Sequence, residues 1–289
     1  MALNDAAVIT AGQGYIFRAD VGTAAPTPSE LSTLDPELFG CLKVTVKVTG
    51  TPTSYKLTVG TATDALPLAS TAAQVQAALE ALPAVGAGNV KVEGVNAGDT
   101  DGLDVTFIGA LQGQSVTLTV GTFVGGTGPA GTVTTATALN GWLNMGHTSR
   151  DDMPEFGFDG GDTTVKGTWQ KKRLREVATG DPLADHLSVH LEQWDRNSLE
   201  LYYGEDAANT DGIFGVSGDF NPIECAFLVI IVDGDARIAF YAPKASVKRD
   251  DSINIPVDEF STLPVKATFL DLPGHRLYDW ISEALFPLP

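Results

Sequence analysis

Residues 226–241 read AFLVIIVDGDARIAFY, and this stretch decides the fold. The apolar run 226–232 and the mostly apolar stretch 236–241 are separated by residues 233–235. The dipeptide Asp233-Gly234 in this connection suits a two-residue type I′ turn. The sequence therefore predicts a β-hairpin here. The run 226–232 is the longest apolar run of the chain, and at seven residues it is too short to cross a bilayer, so we expect no membrane insertion.

Composition extends this prediction to the whole chain. The chain has 289 residues, of which 43% are hydrophobic and 31 are glycine. This length is enough for two ordinary domains with a sizeable core. Prominent Gly, Thr and Val favour strands and turns. We therefore predict a mainly β (α+β) protein.

Charge and composition divide the chain into three segments, 1–40, 41–138 and 139–289. Residues 1–40 are Gly- and Pro-rich with few strand signals, and they predict an arm rather than a domain. Residues 42–138 hold four Lys and six acidic residues, whereas the remainder holds 14 basic and 30 acidic residues. Residues 42–138 therefore carry a net charge of −2, and the remainder of the chain carries −16. An acidic surface repels nucleic-acid phosphates, which argues against specific DNA binding.

The middle segment carries the signature of a small β-sandwich-like module with one helix. It opens with apolar Leu42, Val44, Val46 and Val48 alternating with polar residues, as in a strand with one buried face. A capping-box spacing at 71–74 then precedes a helical apolar pattern ended by a proline and a glycine.

The last segment predicts strands and short helices. Strand patterns lie at 165–169, 188–191 and 265–270, and Asp195 can cap a helix that runs to Tyr203. A final helix is predicted from an apolar stripe that ends before Pro287. The stripe consists of Leu277, Trp280, Ile281, Ala284 and Leu285.

Cysteines and the first residues indicate where the chain is made. Cys41 and Cys225 are too few for a disulfide framework, which suits a reducing cytoplasm. The first residues, MALND, lack the basic and apolar regions of a signal peptide. We therefore expect synthesis in the cytosol.

No motif predicts a catalytic or cofactor site. Residues 126–131 match GxGxxG, but Pro129 lies inside the motif and a strand pattern follows, so we predict a turn without a cofactor. His186 and His190 have a zinc-ligand spacing, although a strand pattern spans both and a third ligand is missing. The acidic run 151–162 fits either a solvated loop or an ion-binding loop.

One basic cluster interrupts the acidic chain. Residues 171–175 read KKRLR. The cluster fits either a solvated strand or turn, or a contact with an acidic neighbour such as a second subunit, because complementary charges fix the register between partners.

Five stretches outside the middle segment point to a family: MALNDAA (1–7), GHTSRDDMPEF (146–156), GTWQ (167–170), LELYYG (199–204) and GIFGV (212–216). They resemble the major tail proteins, or tail-tube subunits, of long-tailed phages that infect mycobacteria and related actinobacteria. In the middle segment, TAAQVQAALEAL (71–82), GAGNV (86–90) and VTFIGAL (105–111) resemble a module that recurs in phage virion proteins. The resemblance implies a tail-tube subunit with a β-sandwich or barrel-like fold. Its tube domain would be residues 139–289, with 1–40 as an N-terminal arm of the same domain, and residues 41–138 would be an inserted β-rich module on the tube exterior.

The resemblance further implies a structural role and no enzymatic activity. Subunits would form hexameric rings stacked around a tape-measure protein and closed by a tail terminator, through which phage DNA passes without specific binding. The protein would reside in the virion tail, after assembly in the host cytoplasm. Candidate subunit-interface residues are His147, Arg150, Phe156, Phe158, Lys171 and Arg173.

Two alternatives stay open at this point. The chain could be another virion protein, such as a neck, terminator or capsid-decorating protein, and copy number would distinguish these from a tube subunit. Alternatively, residues 42–138 could bind host-surface glycans, although that segment contains no Trp to stack on a sugar.

Overall fold

The computed structural model describes residues 7–161, 163–178, 181–205, 208 and 210–286. The chain forms two compact units. The larger unit combines Met1–Leu34 with Met145–Pro289, and the smaller unit is Asp35–Asn144. The predicted insertion, 41–138, lies within the smaller unit, and its role as an inserted module stays a prediction.

The secondary structure is mainly antiparallel β, as predicted. The larger unit begins with β1 (Gln13–Ala19) and α1 (Pro28–Thr33). The smaller unit contains β2 (Leu42–Thr49), β3 (Ser54–Val59), β4 (Thr61–Ala62), β5 (Leu66–Pro67), α2 (Ala72–Glu80), β6 (Val90–Gly94), β7 (Leu103–Phe107), β8 (Thr119–Val124), β9 (Ala130–Thr137) and β10 (Leu143–Asn144). The larger unit resumes with β11 (Glu155–Asp159), β12 (Thr163–Lys166), β13 (Arg175–Ala178), β14 (Ala184–Leu191), α3 (Arg196–Tyr203), β15 (Ile223–Asp233), β16 (Ala236–Arg249), β17 (Leu263–Phe269) and β18 (Asp279–Ile281).

The predicted hairpin is confirmed as β15 and β16, with a different turn. Asp233 pairs with Ala236, so the two loop residues are Gly234 and Asp235 rather than Asp233 and Gly234. Gly234 has φ +58, whereas Asp235 has no positive φ. A type I′ turn requires positive φ at both central residues, so that prediction was wrong. The shift lets Asp233 accept hydrogen bonds from the backbone N–H and hydroxyl of Thr10.

The apolar run of β15 is explained by burial on both faces of the sheet. Phe227 and Val229 belong to the main core, with Leu201 and Tyr202 of α3. Leu228 and Ile230 alternate with them and are fully buried on the opposite face. A strand covered on both faces needs an uninterrupted apolar sequence rather than an alternating one.

The prediction that residues 1–40 form a loop-like arm was wrong for 13–19 and 28–33, which form β1 and α1. Strand β1 pairs with β15 over its whole length, and its consecutive residues Ile16 and Phe17 are at most 1% exposed. Residues 20–33 continue as cover for the hairpin: Tyr241 donates a hydrogen bond to the Thr23 carbonyl, and Leu31 of α1 is 1% exposed. This part of the chain belongs to the core of the larger unit.

The sheet of the larger unit orders its strands β1-β15-β16-β17-β14-β11, with β18 also on β16. The predicted final helix is wrong, because Asp279–Ile281 forms β18. On one side of β16, β17 pairs with residues 245–249, and β18 pairs with residues 239–241 further along the same edge. This pairing supplies hydrogen-bond partners, which buried backbone groups require.

The smaller unit confirms the predicted β-sandwich with one helix. Strands β6-β7-β2-β9 form one sheet, and β3 with β4, β5 and β8 forms the other. A single apolar core joins both sheets to Val75 and Leu79 of α2. The predicted capping box is present, since Thr71 and Gln74 exchange side-chain to backbone hydrogen bonds. Residues 125–128 form a turn before β9, as the GxGxxG prediction required.

Candidate functional site

A projecting basic hairpin, residues 163–178, is the first exposed feature of the larger unit. Strands β12 and β13 pair with each other and with no other described strand. At the tip, Thr168 N–H donates to the Lys171 carbonyl at 2.7 Å, and Leu174 N–H donates to the Lys166 carbonyl at 2.9 Å. These bonds hold a compact tip on which Trp169 is 99% exposed.

The basic hairpin is cationic in an otherwise acidic chain. It contains five Lys or Arg residues and one Glu, a net charge of +4 in a chain of −18. Lys171, Lys172 and Arg173 are exposed, and in the described ranges none of them forms an ion pair. Its charge is therefore available for an external partner.

An acidic concavity of about 610 Å³ is the second feature. The segment after Met145 forms one wall because it runs beside the end of β14: Ser149 N–H donates to the His190 carbonyl, and Glu192 N–H donates to the His147 carbonyl. The β16–β17 connection forms the other wall. Six carboxylates line it: Asp151, Asp152, Glu192, Asp251, Asp258 and Glu259.

Exposed apolar side chains accompany these carboxylates on the β16–β17 connection. Val257 is fully exposed, Phe260 is 82% exposed, and both line the acidic concavity. The start of this connection is held to α3, because the Tyr202 hydroxyl donates a hydrogen bond to the Asp251 carbonyl at 2.7 Å. Exposed apolar groups beside charges are typical of protein-binding surfaces.

The six predicted interface residues fall into three places. His147 and Arg150 are exposed on the segment that forms one wall of the acidic concavity, and Lys171 and Arg173 lie at the tip of the basic hairpin. On β11, Phe158 is 68% exposed, whereas Phe156 is 39% exposed. The Phe156 ring also packs within the subunit, 4.7 Å from the Phe240 ring centroid and 5.2 Å from that of Trp280.

The two histidines lie on β14, as the strand pattern predicted. His186 Nδ1 is 3.5 Å from Asp159, and His190 Nδ1 is 3.6 Å from Asp152. Hydrogen bonding to Lys266 lowers the pKa of Asp159. Among the described residues, no three His, Cys, Asp or Glu side chains are grouped to hold a metal ion.

Cysteine reactivity gives no site either. Cys41 and Cys225 are both buried and free. Burial raises the pKa of the Cys41 thiol to about 11 and that of Cys225 to about 12. Both thiols are therefore protonated at neutral pH, and a nucleophile requires the thiolate.

In the part of the chain that the structure describes, no helix is both long and apolar enough to span a membrane.

The acidic concavity was missed by sequence reasoning. Its walls come from segments near 150, 191 and 258, which are separated by tens of residues. One sequence signal could have indicated part of this surface: residues 250–260, DDSINIPVDEF, combine acidic and apolar side chains around a proline.

Comparison with known proteins identifies relatives over the whole chain. A family model described as phage tail tube protein matches residues 1–73 and 115–289. Major tail protein Gp23 of Mycobacterium phage D29 is 36% identical over 289 residues, which cover all of this chain and 97% of that protein. Major tail protein Gp23 of Mycobacterium phage L5 is 51% identical over 156 residues, which cover 54% of this chain and 77% of that protein.

Proposed function

This chain belongs to the phage tail tube protein family, and we propose that its copies assemble into stacked hexameric rings that form the tube of a phage tail. The observation that carries the proposal is similarity to a major tail protein along the full length of both chains. The role is structural and lies in the virion tail.

The surfaces of the larger unit support self-assembly. One chain presents a cationic hairpin and a separate acidic concavity, so two copies can meet through unlike surfaces. Such heterologous contacts close into rings when the rotation between neighbours closes, and repeated along an axis they build a tube. We include His147, Arg150, Phe156, Phe158, Lys171 and Arg173 in the proposed subunit interfaces.

The other partners follow from the tube role. The rings would surround a tape-measure protein and end at a tail terminator, after assembly in the host cytoplasm. DNA would then pass through the lumen. A net charge of −18 supports this passage, because an acidic wall repels phosphates and prevents DNA from binding as it moves.

We further propose that the smaller unit decorates the tube exterior. The part of the chain that the tail tube model leaves unmatched, 74–114, lies wholly within the smaller unit and contains most of α2 with β6 and β7. The smaller unit has its own apolar core, so it does not depend on the larger unit for burial.

Electron microscopy of the purified chain tests the proposed function. We expect tubes of constant diameter with six subunits per ring as the protein concentration rises, since every subunit carries both halves of each contact. Virions would show the chain along the whole tail at high copy number. Its presence only at the neck, the tail tip or the capsid would contradict the proposal.

Deleting residues 41–138 should leave a subunit that still forms tubes. The two ends of the deleted segment can be joined because the backbones of Gly40 and Trp142 lie close together. A Cβ on Gly40 would lie 2.1 Å from the Trp142 carbonyl oxygen. Residues 139–141 remain as a linker. We expect tubes of smaller outer diameter and the same axial repeat in electron micrographs.

A matched control keeps the module but weakens its core. Leu79 of α2 is fully buried, so Leu79→Ala should destabilise the smaller unit by about 2–5 kcal/mol and leave assembly unchanged. If the deleted chain folds, as judged by circular dichroism, but forms no tubes, the smaller unit is part of the assembly machinery and its exterior placement is wrong.

A further inference from the structure

We propose that the basic hairpin of one subunit inserts into the acidic concavity of a second copy of this chain. The inference rests on the proposed assembly into a tube and specifies one of its contacts.

The side chains of the basic hairpin are typical of a surface that is buried when a partner protein binds. Its strands gain little from burial within the subunit, since every described side chain from Thr163 to Glu176 is exposed. Val165, Trp169 and Leu174 are 56%, 99% and 52% exposed. Tryptophan is enriched at the energetic centres of protein interfaces, where its large ring is buried on binding.

Charge complementarity identifies the receiving surface. The hairpin carries a net charge of +4, and the acidic concavity is lined by six carboxylates and by no Lys or Arg. Within the described ranges, Asp152 lies near His190, and the other five carboxylates form no ion pair. Opposite potentials attract the two surfaces and disfavour a contact between two like surfaces.

Size and polarity also match. A volume of about 610 Å³ falls within the range of sites that enclose a compact ligand, and it gives room for an indole ring with neighbouring cationic side chains. Phe260 and Val257 supply exposed apolar contacts for Trp169, while the carboxylates surround them. An apolar anchor within a charged rim is the usual anatomy of a specific interface.

A second copy, rather than the same chain, is the occupant. Within the described residues, no hydrogen bond or ion pair joins the hairpin tip to the acidic concavity. The two surfaces differ, so the contact is heterologous and each bound subunit leaves one hairpin and one concavity open for the next. This arrangement propagates, as a tube requires.

Charge reversal on each side, and on both together, tests the contact. The hairpin variant combines Lys171→Glu, Lys172→Glu and Arg173→Glu; the concavity variant combines Asp151→Lys, Asp258→Lys and Glu259→Lys. All six side chains are exposed, so we expect folded subunits by circular dichroism. Each variant should raise the subunit concentration needed for tubes at least tenfold. The chain that carries all six changes pairs a hairpin of net charge −2 with a concavity whose net charge is zero. It should therefore need a lower concentration than the hairpin variant, whose hairpin of −2 meets six carboxylates.

Matched controls change the net charge equally on the smaller unit. Lys47, Lys56 and Lys91 to Glu control for the hairpin variant once circular dichroism shows a folded chain, because these three side chains are half-buried on strands. The exposed residues Asp64, Asp99 and Asp101, changed to Lys, control for the concavity variant. Both should assemble like the wild type. Tube formation should also weaken with added salt, because the attraction is screened.

The outcomes separate this contact from the proposed function. Absence of wild-type tubes would refute the tube role itself. Normal assembly of either one-sided variant would refute the hairpin–concavity contact while the tube role stands. So would a chain with all six changes that assembles no better than the hairpin variant. Binding of wild-type subunits to double-stranded DNA that the hairpin variant loses, with its assembly intact, would assign the hairpin to DNA and overturn the proposal.

Discussion

Replacing Phe240 by alanine should lower the free energy of unfolding of the larger unit by about 3–5 kcal/mol. Phe240 is 1% exposed on β16. Its ring centroid lies 5.0 Å from that of Phe269 and 5.1 Å from that of Trp280. Removing it leaves a cavity that strands on both sides cannot close, because their backbones are fixed by the sheet.

The measurement is urea unfolding of dilute subunits, followed by tryptophan fluorescence. Trp280 reports on the larger unit, because its ring packs against Phe240, while Trp142 reports on the smaller unit. The two units can unfold in separate transitions, and only the transition of the larger unit should shift.

Phe260→Ala is the matched control for this loss. It removes the same atoms from a side chain that is 82% exposed on the β16–β17 connection. We expect less than about 0.5 kcal/mol of change in the unfolding free energy. Equal destabilisation by the two substitutions would contradict the assignment of Phe240 to the core and of Phe260 to an assembly surface.

The local elements of the fold could be predicted from sequence where one signal dominated. The β15–β16 hairpin, the capping box at Thr71 and the helix capped by Asp195 depend on neighbouring residues, and the structure confirms all three. The two helix caps are specified within a few residues of chain. The hairpin is indicated by two stretches rich in apolar residues on either side of a short connection, although its turn type was predicted wrongly.

Elements that depend on distant partners could not be predicted. Strand β1 has adjacent buried residues, Ile16 and Phe17, because it is covered on both faces, and this pattern has no alternation to detect. In residues 277–285 a helical stripe was present, but residues 279–281 instead form β18 on the edge of β16 beside β17. Tertiary pairing overrides local propensity in both cases.

The candidate site shows the same division. The basic hairpin is continuous in sequence and contrasts in charge with its surroundings, so Lys171 and Arg173 were found. The acidic concavity combines segments brought together by the order of strands β16, β17 and β14. In a chain with 36 acidic residues, no single carboxylate identifies such a surface.

Replacing Trp169 by alanine should raise the subunit concentration needed for tube formation by about 30-fold or more, because interface anchors contribute at least about 2 kcal/mol each. Trp169 is 99% exposed in the isolated chain, so its loss should leave the unfolding free energy unchanged. The two effects separate assembly from folding. Sedimentation of tubes over a range of subunit concentrations, with urea unfolding of the same protein, measures both.

Two further variants define what Trp169 contributes. Trp169→Phe keeps an aromatic face on the hairpin tip and should retain most of the assembly, since the ring is the buried group. Val95→Ala removes a side chain that is 64% exposed on the smaller unit and should assemble like the wild type. Because the same contact recurs at every subunit of the tube, even a modest loss per contact is multiplied along its length. Unchanged assembly of Trp169→Ala would therefore exclude the hairpin tip from every contact that holds the tube together.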